Sequence, residues 1–252
     1  MQRIYLSDIP LSQELCISQQ DIYHQITRVM RAKVGQKYIF FDGIHCKDSV
    51  YKIASIDSHR VIFVLEKILE KNTDTHRELH LFQALPHKLE KIEYILMKWV
   101  EVGYRSFTFF PSQRSQKLVL SEPKKERLKK IMKESLEQCG GNILPELRIY
   151  ERNLIIETNT WDTLSKKWNE WWEECIFCHT ETQDIIKLSD LNISWVTKVS
   201  ICVGPEGWFS PQEVEYLQDK WYVWVNFWSR ILRTETVSSV LWFYLHQKKE
   251  DL

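Results

Sequence analysis

VGPEGWFSPQEVEYL, from Val203 to Leu217, lies between an apolar run and a helix-patterned segment, and its reading decides the fold. The run before it, KVSICV, is near-continuously apolar, as strands covered on both faces are. After it, Ser210, Pro211 and Glu213 fall at the N-cap, first and third helical positions of a capping box, so local chemistry alone specifies strand, loop and helix. Loops of this kind sit beyond the carboxyl end of a strand, where α/β domains bind their ligands. Gly204 and Gly207 flank a Pro-Glu pair there. Either they serve a tight turn or they open the backbone to a ligand, and spacing alone leaves both readings standing.

The same alternation repeats outward from this loop. ELHLFQALP reads as a strand, EKIEYILMKWVEVG as a helix stopped by Gly103, and SFTFFPS as a second strand. EPKKERLKKIMKESLEQCGG reads as a long helix with Pro123 near its start and Gly140 just past its end. A shorter helix follows, with Trp161, Leu164, Trp168 and Trp171 on one face as core or interface residues. CIFCH and YVWVNFW read as further buried strands. Strands alternating with helices predict an α/β domain with a mostly parallel sheet over residues 73–252. Residues 1–72 are different. RIYLS, KYIFFDG, SVYKIASIDS and HRVIFVLEKI are short aromatic and β-branched runs, and Asp42-Gly43 forms a hairpin-type turn between two of them. One helical piece, SQQDIYHQITRVMRAK, interrupts them, with Ser18 as its cap and Ile22, Ile26, Val29 and Met30 on one face. This predicts a small β-barrel, with the polar KNTDTHRE as the linker.

Composition narrows the function classes. The chain has 252 residues, 44% of them hydrophobic, and 34 basic residues against 34 acidic ones. It is globular and long enough for two cores. No stretch approaches the roughly 18 consecutive apolar residues of a membrane span, and MQRIYLSDIP lacks the layout of a signal peptide, so a cytoplasmic protein without a membrane partner is expected. Between Pro86 and Lys133 there are 12 Lys/Arg against 5 Glu. That excess is either a phosphate-facing surface or a solvated helix face. The six cysteines form no disulfide framework and are expected to be reduced. Cys175, Cys178 and His179 have the spacing of covalent haem attachment, but Ile176 and Phe177 between the cysteines suit a buried strand, and neither haem nor metal is expected. The main motifs of dinucleotide oxidoreductases, P-loop nucleotidases and zinc proteases are missing.

A second loop pairs with the first. In FWSRILRTETVSSVLWFYLH, Phe227 to His246, an aromatic strand ends in a polar elbow carrying Arg230, Arg233 and Glu235, and a helix follows with the small residues Thr236, Ser238 and Ser239. GPEGWFSPQE and RILRTETV together resemble the two cofactor loops of the RsmE family of the SPOUT superfamily, the 16S rRNA (uracil-N3) methyltransferases. Four further blocks occur in the family order. HQITRVMRAKVGQKYIFFDG resembles the N-terminal block, and EKIEYILMKWVEVG the helix with Lys98, Glu101 and Gly103 in place. PSQRS resembles the E-R-S element, and EQCGGNILPEL the E-Q-S-G-R element. The resemblance covers nearly the whole chain. It implies a PUA-like barrel over 1–72, followed over 73–252 by a SPOUT-type α/β domain with a C-terminal trefoil knot that binds S-adenosylmethionine and forms a homodimer. The implied partner is 16S rRNA or the small ribosomal subunit.

Carried over residue by residue, the resemblance assigns cofactor contacts to Gly204, Pro205, Glu206, Gly207, Ile231, Leu232 and Thr236. RNA contacts fall to Arg28, Arg31, Lys98, Arg114 and Gln138, and the catalytic centre to Arg233, Glu235 and Glu206. The chemistry explains the last group. Uracil N3 lies between two carbonyls and keeps its proton at neutral pH, so methylation needs an exposed base, a proton acceptor and donors for charge growing on O2 and O4. Arg233 is the expected donor; Glu235 and Glu206 are candidate acceptors, with solvent water or a phosphate as alternatives. The chain departs from the family pattern at Trp208, at Val237, at Phe227-Trp228 and at Gly141-Asn142. Two other readings stand beside this one: a non-catalytic RNA-binding or assembly protein on the same fold, and a SPOUT methyltransferase with another RNA target.

Overall fold

In the computed structural model the described residues are 1–9, 12–70, 77–156, 173–178, 186–187, 190–191, 196–218, 223–226 and 231–247. The chain divides into two compact units, one of Met1–Asp74 with Lys133–Leu144 and the other of Thr75–Met132 with Pro145–Leu252.

The first unit is built on a five-stranded sheet: β1 (Gln2–Tyr5), β2 (Glu14–Ile17), β3 (Lys37–Phe41), β4 (Lys47–Ile56) and β5 (Val61–Glu70), in the order β1-β3-β4-β5-β2. β1 runs parallel to β3 and the other pairs are antiparallel. Alternation does the sorting. Phe40, Tyr51, Ile53 and Phe63 are buried in one cluster with Ile4, Leu15, Ile17 and Ile26, each large side chain removed from water contributing about 1.5–3 kcal/mol. Gly43, after β3, has φ +76, and Asp42 Oδ1 accepts from the N–H groups of Ile44 (2.8 Å) and His45 (3.0 Å), an Asx-type turn longer than a two-residue hairpin. β2 was not expected from its four-residue pattern.

The helical piece departs from its expected geometry. It is α1 (Gln20–His24) continued by a π-turn over Gln25–Val29, and the residue at its N-cap is Gln19, without a side-chain cap bond, rather than Ser18. The wider turn shifts the register, so Ile26 is fully buried while Val29 is 69% exposed. The element ends at Arg31, whose φ of 51 is in the left-handed region.

The second unit holds a seven-stranded sheet in the order β10-β12-β9-β11-β6-β7-β8. Its strands are β6 (Glu78–Ala84), β7 (Ser106–Phe110), β8 (Glu146–Ile149), β9 (Glu173–Cys178), β10 (Ile186–Lys187), β11 (Lys198–Val203) and β12 (Val223–Asn226). Every pair among them is parallel. Its helices among the described residues are α2 (Leu89–Glu101), α3 (Glu122–Cys139), α4 (Pro211–Gln218) and α5 (Thr234–Gln247). α3 begins in this unit and its last residues belong to the first. Gly103 (φ +86) and Gly140 (φ +81) close α2 and α3 in the conformation that makes glycine the favoured helix stop. β8 and β10 were too short and too polar to be read in advance. Arg77, expected in the linker, is instead 4% exposed, with Nε donating to Val196 O at 2.8 Å. The tryptophan-bearing helix, His179, Phe227, Trp228 and Arg230 lie outside the described residues.

Candidate functional site

The sheet order creates the site. β6 and β11 are neighbours in register, Gln83 opposite Val203, so both strands end at the same edge. From there the chain departs in opposite directions, since β6 leads by way of α2 to β7 on one side and β11 leads by way of α4 to β12 on the other. A crevice at such a switch point is where open parallel sheets bind ligands. The buried Gln83 amide fastens it, with Nε2 donating to Ala84 O (2.9 Å), Gly204 O (3.2 Å) and Val203 O (3.3 Å).

The loop after β11 is held from beneath by its predicted capping box. Ser210 Oγ accepts from Glu213 N (3.2 Å), and Glu213 Oε2 accepts from Ser210 N (2.8 Å). Glu213 does more than cap. It is 0% exposed, and its Oε1 also accepts from Gln113 N (2.8 Å) and Asn153 Nδ2 (2.7 Å), so one carboxylate ties three segments together. Within the loop, Trp208 N donates to Pro205 O at 3.0 Å, closing a four-residue turn. The two glycines serve close packing. A Cβ on Gly204 would meet the Phe209 ring at 3.1 Å, and one on Gly207 would meet Arg114 O at 3.3 Å. Neither glycine has positive φ; the residue that does is Trp208, at φ 66. Phe209 is buried beside Phe177, ring centroids 5.0 Å apart.

The second loop enters α5. Arg233 O accepts from Thr236 N (2.8 Å) and Val237 N (3.2 Å), which sets the first turn of the helix and leaves the Arg233 side chain exposed. Tyr104 Oη donates to Ser238 O at 2.9 Å and anchors that turn from β7's side. Val237, where the family pattern has alanine, is 8% exposed and packs inward.

Lys91 joins the two loops. From the first turn of α2 its Nζ reaches Glu206 Oε1 and Glu235 Oε2, each at 3.1 Å. His87 completes the group, its Nδ1 at 2.6 Å from Glu206 Oε1 and its backbone N–H directed at the same carboxylate. Burial pushes the Glu206 carboxyl up, but its own backbone N–H, Lys91 and His87 outweigh that, so it is held below the usual carboxylate range. Lys91 responds in the opposite sense: burial lowers its pKa, the two carboxylates raise it, and the net direction is upward. Two carboxylates against one ammonium leave the cluster with an anionic bias.

The expected residues therefore divide. Gly204, Pro205, Glu206, Gly207, Arg233, Glu235 and Thr236 belong to the two loops that Lys91 connects, together with Leu232 and the 72% exposed Ile231. Arg114 joins them, Nη1 donating to Gly207 O at 3.3 Å. Lys98 does not; it pairs with Glu101 within α2 at 3.1 Å. Arg28, Arg31 and Gln138 are exposed residues of the first unit. Asn142, at the departure from E-Q-x-G-R, is 1% exposed and donates to Asp48 Oδ1 at 2.8 Å, and Asp48 also pairs with Arg3 at 2.5 Å. That position is a buried structural junction. Lys91 and His87 carry no signal in the sequence because PHKLEK, a third strand-to-helix connection, contains no glycine, and Gln83 and Tyr104 join the site only through contacts with distant segments. Cys175 and Cys178 lie on β9, where burial pushes the Cys178 thiol well above its usual range. Among the described residues no cluster of His, Cys, Asp and Glu is arranged to hold a metal.

A parallel α/β sheet with its loops gathered at a switch point defines a ligand-binding α/β domain, and comparison with known proteins gives its class. A family model described as an RNA methyltransferase domain matches residues 73–245. The chain belongs to that family, and within it to the RsmE group of the SPOUT superfamily that the ordered sequence blocks resemble. Similar proteins include ribosomal RNA small subunit methyltransferase E of Buchnera aphidicola subsp. Acyrthosiphon pisum, 26% identical over 244 residues, covering 94% of this chain and 90% of that one. The protein of that name from Bacillus subtilis is 27% identical over 223 residues, covering 84% and 82%. Among solved structures, ribosomal RNA small subunit methyltransferase E from Neisseria gonorrhoeae, bound to S-adenosyl methionine, superposes with a TM-score of 0.82 at 21% identity, covering 98% of this chain and 97% of that one.

Proposed function

We propose that the protein transfers a methyl group from S-adenosylmethionine to N3 of one uridine of 16S rRNA in the small ribosomal subunit. The observation that carries this is the Lys91 bridge, which brings the two loops of the family pattern, Glu206 on one and Glu235 on the other, to a single point at the switch-point edge. The donor set suits the cofactor. Backbone of residues 204–207 and 231–232 offers hydrogen bonds, Pro205 and Leu232 offer apolar contact, and the anionic bias of the cluster favours a sulfonium cation. The bound cofactor would supply the methyl as an electrophile on that sulfonium.

In this reading Glu206 and Glu235 fix the loops, because the Lys91 ammonium already engages an oxygen of each. Arg233 donates to charge growing on a uracil carbonyl oxygen. Arg28 and Arg31 on a PUA-like barrel, with Lys98, Arg114 and Gln138, contact the RNA backbone and position the base. We include in the proposal the trefoil knot and a homodimer, both supported by the family likeness. Mass spectrometry of rRNA from a deletion strain tests the reaction, the expected result being loss of one 3-methyluridine; an unchanged modification map refutes it. Calorimetry with S-adenosylmethionine separates an enzyme from a non-catalytic RNA binder, which would give no binding isotherm.

A further inference from the structure

The reaction needs a proton acceptor, and both carboxylates expected to serve are held by Lys91. His87 is in a different position. It follows Pro86 at the carboxyl end of β6, beside the loop that follows β11, and its side chain is partly exposed, 31%. Its Nδ1 lies 2.6 Å from Glu206 Oε1. An ionised carboxylate can only accept, so a neutral imidazole in this contact carries its hydrogen on Nδ1 and its lone pair on Nε2. A carboxylate that fixes the tautomer and orientation of a histidine, and then stabilises the imidazolium, is the arrangement by which histidine serves as a general base.

Resting on the methyltransferase reading above, we infer that His87 is the proton acceptor of the reaction, with Glu206 as its positioning residue. The step balances. The N3–H proton passes to His87 Nε2 as N3 takes the methyl group, and the electron pair of the carbon–sulfur bond returns to sulfur. The imidazolium then gives its proton to solvent. The charged groups around the histidine are Glu206 from the loop after β11, Lys91 and Lys88 from the start of α2 and, through Lys91, Glu235 of α5.

Two measurements test this. NMR of the imidazole nitrogens in the protein without cofactor should find the Nδ1–H tautomer for His87, and Glu206→Ala, which removes the acceptor, should move the ring toward the Nε2–H tautomer. An Nε2–H tautomer in the native protein, or a tautomer balance indifferent to Glu206→Ala, overturns the assignment. Single-turnover methyl transfer to small subunits should then fall about 100-fold in His87→Gln at neutral pH, near the lower end of general-base effects. Calorimetric cofactor affinity should be unchanged and the loss should shrink at alkaline pH, where solvent removes the N3 proton. His87→Gln with native rates at neutral pH overturns this inference alone, whereas a native protein that transfers no methyl overturns the functional reading with it.

Discussion

Trp208, where the chain departs from the family pattern, has φ 66. Gly204 and Gly207 allow a close approach of Phe209 and Arg114, and it is Trp208 that takes the left-handed backbone. That conformation costs an L-residue about 1–2 kcal/mol, a strain that glycine does not carry. Trp208→Gly should therefore be more stable than Trp208→Ala by about 1 kcal/mol, since both lose the indole but only one relieves the strain. Urea denaturation midpoints decide it, and the reverse ranking would remove the strain. Gly204→Val should abolish calorimetric S-adenosylmethionine binding, because its Cβ would press on Phe209 and displace the loop. Arg233→Ala should instead lower turnover about 100-fold with little change in cofactor affinity, as removal of an oxyanion donor does. Unaltered turnover would take Arg233 out of the mechanism.

At the scale of elements, the capping box of α4 was legible because cap chemistry is local, three residues apart on one strand-to-helix turn. What could not be read was that the same Glu213 holds Gln113 and Asn153, which come from distant segments. Glu213→Ala leaves three donors without this acceptor and should cost about 3–4 kcal/mol in denaturant unfolding. Ser210→Ala removes only the side-chain half of the cap and should cost about 1 kcal/mol. Equal losses would mean that Glu213 is no more than a cap. The turn after α1 was misread for a related reason. Hydrophobic spacing predicted a regular helix through Met30, whereas a π-turn, selected by packing of Ile26 into the sheet core, put Val29 outside.

The whole molecule stores a pH dependence in its parallel sheet. His80 of β6 lies between strands with Nδ1 at 2.8 Å from Ser106 Oγ, and burial pushes its pKa down to about 4, Lys198, Arg148 and Arg105 adding to the effect and Glu78 opposing it. The unfolded chain takes up a proton near the ordinary value of 6.5 while the native state does not. Between those values the unfolded state binds more protons, so stability is full above 6.5 and falls as the pH drops toward about 4. The shift corresponds to roughly 3 kcal/mol. His80→Gln should flatten the stability profile in that window, measured by urea unfolding at several pH values; an unchanged acid slope would assign the sensitivity elsewhere.

What the sequence by itself determined was everything carried by local chemistry. The strands and helices of the α/β unit other than β8 and β10 follow, among the described residues, from their periods, the ends of α2, α3 and α4 from glycine stops and a cap, and the family from six short blocks in order. Tertiary structure alone decided which loops meet. The parallel order of β6 and β11, set by burial of both sheet faces over a hundred residues of separation, put PHKLEK against GPEGW and made Lys91 and His87 part of one cluster. No period or spacing encodes that contact, because it depends on where two strands end in space, and the site's charge and its proton acceptor follow from it.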